Sequence, residues 1–517
     1  MDLLDELAGA ILAGEAGTRE ELMRLKVRLC KKHKASRVPT NHEILQRIPE
    51  EMRAGVEAVL RNKPIRTMSG VAPVAVMTSP CDCPHGRCVY CPGGVPNNTP
   101  QSYTGKEPAA RRAEMHGYDP YRQTKARMDQ LKAIGHRTDK VDLIIMGGTF
   151  TSRPVEYQDW FVKRCFDAMN GAESPDMLAA HAANETAPAR CVGLTVETRP
   201  DWFGPEQLAH SLALGATKVE FGVQSLDDDI LDGVKRGHHV SAVVDATRRA
   251  KDAGLKVCYH MMPGLPGSSP ESDLRSFRSL FEDERFMPDM LKIYPTLVVK
   301  GTELYTMWEE GRYAPMSLDE TIALVAEMKM SVPEWVRILR VQRDIPVQLI
   351  EAGVRKSHLR ELATAHLRGS GRACRCIRCR EIGHVPTAKE LPSGADVVLR
   401  HKDYIASGGR EHFISFELPS IDSVVGYARL RLPGNGADAA RVRELHVYGQ
   451  MVPFDGKEGK HWQHRGFGER LLAESERIAS EAGFGKVSVT SGVGARDYYR
   501  KFGYSRDGPY MSKLVGG

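Results

Sequence analysis

From residue 71 onward the chain alternates short apolar runs with helical stretches, and no other feature restricts its fold as much. The runs are VAPVAVM (71–77), VDLIIMG (141–147), CVGLTVE (191–197), KVEFGVQ (218–224), LKVCYHM (255–261) and MLKIYPTLVV (290–299). Strand-helix repetition of this kind builds a parallel sheet, and six units predict an α/β architecture with an incomplete (β/α)6 barrel. The segments after these runs are polar or glycine-rich: a cysteine loop, GGTFTSRP, ETRPD, QSLDDD and MPGLPG. A parallel barrel carries its active site at those strand ends.

At 517 residues the chain is too long for one core, so further domains are expected. Residues 1–70 read as a basic helical region, 71–330 as the barrel, 331–392 as a basic connector and 393–517 as a compact α+β domain. The first region packs Arg24, Lys26, Arg28, Lys31, Lys32, Lys34 and Arg37 into one short run. Between Arg337 and Arg380 eleven Lys or Arg face three Asp or Glu, so a chain of formal net charge +6 concentrates its positive charge there. Such a stripe suits a polyanion. No stretch of eighteen apolar residues occurs, and the acidic start fits no secretory signal, so a cytoplasmic protein without a membrane partner is expected.

Seven of the eleven cysteines fall in two tight groups, which in a reducing compartment reads as metal ligation. In Cys83-Pro-His-Gly-Arg-Cys88-Val-Tyr-Cys91 three thiolates can hold three irons of a [4Fe-4S] cluster. The fourth iron is then available to S-adenosylmethionine (SAM), which one-electron reduction cleaves to a 5′-deoxyadenosyl radical. Cys81 could replace Cys83, which is preferred. Gly147, Gly148 and Thr149 resemble the glycine motif that binds the methionyl amino group in radical-SAM enzymes, and Glu197, Arg199 and Gln224 stand at later strand ends where SAM or substrate would lie. In the second group Cys374, Cys376 and Cys379, with His384 five residues on, offer a tetrahedral structural zinc site, the alternative being an unligated thiol group.

Near the C-terminus Gln463-His-Arg-Gly466-Phe467-Gly468-Glu469 opens a helix, where free amides and close backbone approach favour the pyrophosphate of coenzyme A. The loop resembles the acyl-CoA signature of GCN5-related acetyltransferases. In that fold the preceding Glu444-Leu445-His446-Val447 would pair with the pantetheine arm. Tyr499, in ARDYYRKFGY, aligns with the tyrosine that approaches the thioester sulfur, with Tyr498 as competitor and core packing as the plain alternative.

With both motif sets in one chain, the sequence is similar to the elongator complex protein 3 family over nearly its whole length, through CPHGRCVYCPGG, QSYTGKEP, MGGTF, LTVETRPD, HMMPGLPG, QHRGFG and SGVGARDYYRKFGY among others. The resemblance implies a tRNA-modifying enzyme that forms 5-carboxymethyluridine at the wobble uridine. It implies acetyl-CoA, SAM and an external electron donor. It also implies that the adenosyl radical takes hydrogen from the acetyl methyl, that the carbon radical adds to uracil, and that thioester hydrolysis releases product. Lys140 matches a family lysine linked to acetyl-CoA. Eukaryotic members carry a longer insertion between the first two cluster cysteines and lack the second cysteine set, so zinc rests on spacing alone. The competing functions are a protein lysine acetyltransferase with a structural iron-sulfur domain, and a tRNA-binding scaffold. Oligomeric state is left open, a homodimer included.

Overall fold

The computed structural model describes residues 2–60, 67, 69–384, 396–434, 436–448 and 466–516. Its first sheet contains β1 (Ala72–Met77), β2 (Lys140–Met146), β3 (Arg190–Thr198), β4 (Lys218–Gln224), β5 (Lys256–Met261) and β6 (Met290–Ile293), all parallel and in chain order. A two-residue strand β7 (Val298–Val299) follows. The sheet then takes a seventh strand, β8 (Arg337–Val341), parallel to β6, and β9 (Ile350–Ala352) pairs with β7. The sequence reading stopped at six because RILRV is broken by arginines. A strand at the open edge of a half-barrel keeps apolar contact with one neighbour only, so it tolerates such interruptions.

The second sheet is built from β10 (Val398–Ala406), β11 (Gly409–Leu418), β12 (Ser423–Leu432), β13 (Ala440–Val447), β14 (Lys486–Val489), β15 (Ser505–Asp507) and β16 (Tyr510–Leu514). Its order is β10-β11-β12-β13-β14-β16-β15, with β13 and β14 the parallel pair. That pairing covers only Ala440–Val442, and beyond it the strands part. The helix Phe467–Glu481 buries Leu471, Leu472, Ser475 and Ala479 against this sheet. At the N-terminus the helices Leu3–Leu12, Arg19–Lys32 and Asn41–Arg47 enclose a core of Leu7, Ile11, Leu22, Leu25, Leu29, Ile44 and Leu45. Thr18 and Thr40 each close a capping box with the Glu three residues on.

The second sheet docks on the N-terminal ends of the barrel strands. Gly492 and Gly494 lie so close to β3 that a Cβ on either would sit 2.3 Å from the Val192 carbonyl or 2.4 Å from Arg190 Cβ. Across the same junction runs an ion network buried except at Asp252. Arg443 of β13 binds Asp289, just before β6, through two hydrogen bonds of 2.7 Å and also reaches Glu411 at 2.7 Å. Lys251 lies 3.3 Å from Asp289, and Arg431 bridges Glu411 (3.0 Å) to Asp252 (2.6 Å). Burial alone would raise the Asp289 carboxyl pKa, but the Arg443 and Lys251 cations hold it well below its ordinary value.

Removing one member of such a network leaves its partners charged, buried and unpaired. Arg443→Met is therefore expected to destabilise the protein by about 3–5 kcal/mol. The check is the loss of denaturation midpoint in urea relative to the parent chain.

Candidate active site

A cavity of about 990 Å³ opens at the C-terminal ends of the barrel strands, and Cys83, Cys88 and Cys91 line it. Cys81 is not among its lining residues. Each of the three sulfurs has a polar neighbour. Ser102 N–H and Gln101 Nε2 donate to Cys91 Sγ at 3.2 Å, His85 Nε2 lies 3.1 Å from Cys88 Sγ, and Thr149 Oγ1 lies 3.7 Å from Cys83 Sγ. Burial pushes the Cys83 thiol up to about 11 and also raises Cys88, against the pull of the nearby Arg236 guanidinium. Sulfurs desolvated in this way gain most from a metal cation, which replaces their protons and offsets the burial of their charge.

Gly147 and Gly148 end β2 with φ of +132° and +93°, in the left-handed region. A Cβ on Gly147 would stand 2.0 Å from Thr78 Oγ1, so glycine alone lets this turn fold over β1 toward the cysteine loop. Arg199 holds Asp201 through two bonds of 2.9 and 2.7 Å and donates to the Gly237 carbonyl at 2.8 Å, yet its Nη1 is buried without a partner. Gln224 is likewise unusual, with φ +72° and a buried, unpartnered Oε1. An orphan cationic donor and an orphan acceptor beside three thiols fit the carboxylate and amino groups of an amino-acid ligand.

The wall of this cavity carries Glu197, which the sequence placed at a strand end, together with Lys218, Glu220, His260 and Lys292, which sequence reasoning missed. Glu197 accepts from Tyr103 Oη at 3.0 Å and from Lys292 Nζ at 3.3 Å. Glu220 lies between Lys292 and Lys218 (3.3 Å) and accepts from His260 at 2.8 Å. Burial would raise the Glu220 pKa, but its Lys292 and Lys218 neighbours bring it well below the ordinary range. The available signal was Glu220, His260 and Lys292 inside otherwise apolar strand runs. Charges in such strands must turn into the barrel.

A second cavity, about 1000 Å³, opens where β13 and β14 part, at the opposite ends of the barrel strands. Lys140, Glu444, Leu445, His446, Val447, Gly466, Gly468, Glu469 and Tyr499 all line it, as does Tyr498. Burial raises the Tyr499 hydroxyl pKa, moves Tyr498 up to about 12 and lowers Lys140. Phe467 departs from the sequence reading. Its ring packs into the domain core 4.7 Å from Phe416, so only its backbone at the helix N-terminus can serve a ligand. Gln463 lies outside the described residues. Pro73, Asp142, Lys218 and Leu339 line both cavities, which therefore share a wall through the barrel.

Cys374, Cys376 and Cys379 bring their sulfurs within 4.8 Å of one another, beside β8. His384 does not join them. Its ring turns to the buried Glu381, 3.8 Å away, whose carboxylate also holds Arg337 at 2.7 Å. The basic stripe is partly consumed inside the chain as well, through Arg340–Asp344, Arg372–Glu327, Arg375–Asp422 and Arg380–Glu417. In the N-terminal run Lys26 is buried, and Arg28, Lys32 and Arg37 pair with Glu15, Glu6 and Glu43.

Four stretches of the chain match models of known families. Residues 79–279 match the Radical SAM superfamily and 288–368 the Radical_SAM C-terminal domain. Residues 1–68 match the ELP3 N-terminal domain and 386–504 the Acetyltransferase (GNAT) family. The chain is 43% identical to human Elongator complex protein 3 over 527 residues, covering 99% of this chain and 96% of that protein. The chain belongs to the Elp3 family. It is also 50% identical to the tRNA uridine(34) acetyltransferase of Methanocaldococcus jannaschii, over 92% of this chain and 90% of that one. The solved structure of Methanocaldococcus infernus Elp3, lacking its first 46 residues, superposes with a TM-score of 0.77 at 46% identity, covering 87% of this chain and all of that one.

Elp3 membership implies a [4Fe-4S] cluster and SAM for the radical-SAM domain and acetyl-CoA for the acetyltransferase domain. Among the described residues no helix is long and apolar enough to cross a membrane. Gly147→Ala, forced into a left-handed turn with no space for its methyl, is expected to weaken SAM binding about tenfold or more. Calorimetric titration of the reconstituted protein with SAM checks this.

Proposed function

We propose that this chain forms carboxymethyluridine at uridine 34 of tRNA, the nucleoside for which its archaeal relatives are named. The observation that carries the reading is the wall shared by the two cavities at Pro73, Asp142, Lys218 and Leu339. A thioester anchored at one barrel end can extend its methyl carbon toward the other, and radical transfer needs contact between reacting atoms.

Cys83, Cys88 and Cys91 would hold the cluster, with Arg199, Gln224, Glu197 and the backbone of Gly147 to Thr149 around SAM. When bound, this pair supplies one-electron hydrogen abstraction from an unactivated carbon. At the other end, amides at the start of the helix Phe467–Glu481, with Gly466, Gly468 and Glu469 beside them, would receive the pyrophosphate. The backbone of Glu444 to Val447 would pair with pantetheine, and Lys140 and Tyr499 would flank the thioester. Lys106, Arg111, Arg127 and Arg343 line the cluster cavity and are suited to RNA phosphates drawn toward its opening. One electron from an external donor starts the cycle, and the uracil radical left after carbon–carbon bond formation gives one electron back as C5 loses its proton.

In the connector we assign Cys374, Cys376 and Cys379 to a zinc ion that ties this segment to the barrel edge. Cys376→Ser is expected to lower bound zinc from about one per chain to none, with a reduced melting temperature. Elemental analysis and thermal unfolding of the purified chain check both effects. For the reaction itself, nucleoside mass spectrometry follows anaerobic incubation of tRNA with reconstituted enzyme, SAM, dithionite and acetyl-CoA. Carboxymethyluridine is expected from the parent chain and not from Cys88→Ala. Its absence from the parent chain, despite an intact cluster and bound tRNA, overturns the proposal.

A further inference from the structure

A carboxymethyl group built from acetyl-CoA remains tethered to coenzyme A until the thioester is cut, so the reaction proposed above needs a hydrolytic residue as well as a radical one. We propose that His260, oriented by Glu220, is the general base for that hydrolysis. The inference rests on the tRNA-modifying reading and adds to it a catalytic residue at the cluster end of the shared wall.

His260 lies near the end of β5, and its ring lines the cluster cavity. Nε2 is 2.8 Å from Glu220 Oε2, and because a carboxylate only accepts, Nε2 carries the proton. Nδ1 then holds the lone pair. It makes no hydrogen bond among the described residues and is not one of the enclosed polar atoms lacking a partner, so it remains open to the cavity. Glu220 is fixed in turn by Lys218, 3.3 Å from its other oxygen, and Lys218 lines both cavities. The base is thus one carboxylate away from the passage that the thioester must occupy.

The neighbouring candidates do not fit the task. Of the other histidines lining the cavity, His85 is engaged with Cys88 Sγ and His116 follows the rim helix Pro108–Met115. Glu220, Cys258 and His260 place their ligand atoms within 4.8 Å of one another, as a metal site would, but the Lys292 ammonium already sits against Glu220 as the balancing cation. Burial raises the Cys258 thiol pKa far above neutrality, so Cys258 is no nucleophile there.

Chemically, water oxygen attacks the thioester carbonyl carbon while its proton passes to His260 Nδ1. The tetrahedral adduct collapses, the C–S bond breaks with its electron pair on sulfur, and the imidazolium returns the proton to give the free CoA thiol. The uridine retains the carboxylic acid. No oxidant or reductant enters this step.

The groups facing the ring are Glu220 from β4, Lys292 from β6 and Tyr294 just after it, Glu197 from β3, and Cys258 on its own strand. Burial and the Lys292 ammonium lower the imidazole pKa, with Glu220 opposing, so the base form prevails at neutral pH and hydrolysis falls as the ring protonates on acidification. Glu220→Gln removes the opposing contribution and should move that acidic limb to lower pH, a shift that a purely structural role would not produce.

Single-turnover reactions of the full-length reconstituted enzyme with tRNA, SAM, dithionite and acetyl-CoA provide the test, comparing the parent chain, His260→Gln, and His260→Gly with and without added imidazole. Acetyl-CoA affinity by calorimetry accompanies the reactions. In both His260 variants 5′-deoxyadenosine formation and acetyl-CoA affinity should stay within about twofold of the parent, carboxymethyluridine release should fall about 100-fold or more, and a uridine–CoA conjugate should accumulate in the tRNA digest. Imidazole should restore release in His260→Gly. Release from His260→Gln at the parent rate, or loss of 5′-deoxyadenosine with no conjugate, overturns the role of His260. Absence of carboxymethyluridine from the parent chain overturns the underlying reading, and this one with it.

Discussion

The pairing of Arg443 with Asp289 and Glu411 is the contact on which the arrangement of the two domains depends. All three side chains are buried at the junction, and the two parallel hydrogen bonds from Arg443 to Asp289 set direction as well as distance. A buried ion pair contributes little net stability against well-packed apolar groups of the same volume. Here its consequence is registry. Arg443 immediately precedes Glu444 to Val447, the edge proposed to receive pantetheine, and Asp289 immediately precedes β6. Holding those two residues together holds the acyl-binding edge against the open base of the barrel.

The barrel strands were legible because strands covered on both faces must be apolar over most of their length. The loops after them were legible because cysteines and glycines at such positions have few structural uses. Two kinds of feature were hidden. β8 carries Arg337 and Arg340, whose charges are neutralised by Glu381 and Asp344 beyond the strand, a compensation no local pattern records. The second is the end of the barrel that receives the acetyltransferase domain. Sequence reasoning placed the barrel's chemistry at the C-terminal strand ends and left the docking of the acetyltransferase domain open, whereas the cavity lined by Lys140, Tyr499 and Glu444 to Val447 opens at the other end, and the residues that decide this are glycines at 492 and 494 and single charges scattered across both domains. His384 illustrates the same gap at smaller scale. Its spacing suits zinc, but a buried carboxylate three residues away draws the ring toward itself.

A stripe of positive charge in a sequence is likewise only an upper bound on the charge available to a partner. Arg375 and Arg380 spend their guanidinium groups on Asp422 and Glu417, tying the connector to the acetyltransferase sheet. The cations proposed to meet RNA phosphates at the cluster cavity come mostly from a different stretch, Lys106, Arg111 and Arg127, joined there by Arg343 from the stripe. Folding gathers them at one opening.

A closed eight-stranded barrel fills its interior with layers of apolar side chains, and no substrate can pass through it. Seven strands leave the ring open, and the vacated interior must be lined by groups that tolerate intermittent water and ligand. Lys218, Glu220, Lys292 and Glu197 meet that need by alternating in sign along one hydrogen-bonded line, so that none is left unpaired between ligands. Apolar side chains would close the passage, and charges of one sign would repel one another across it. Opposed chemistries at the two barrel ends can therefore share one interior. In the reading proposed above, the two chemistries meet at the wall formed by Pro73, Asp142, Lys218 and Leu339.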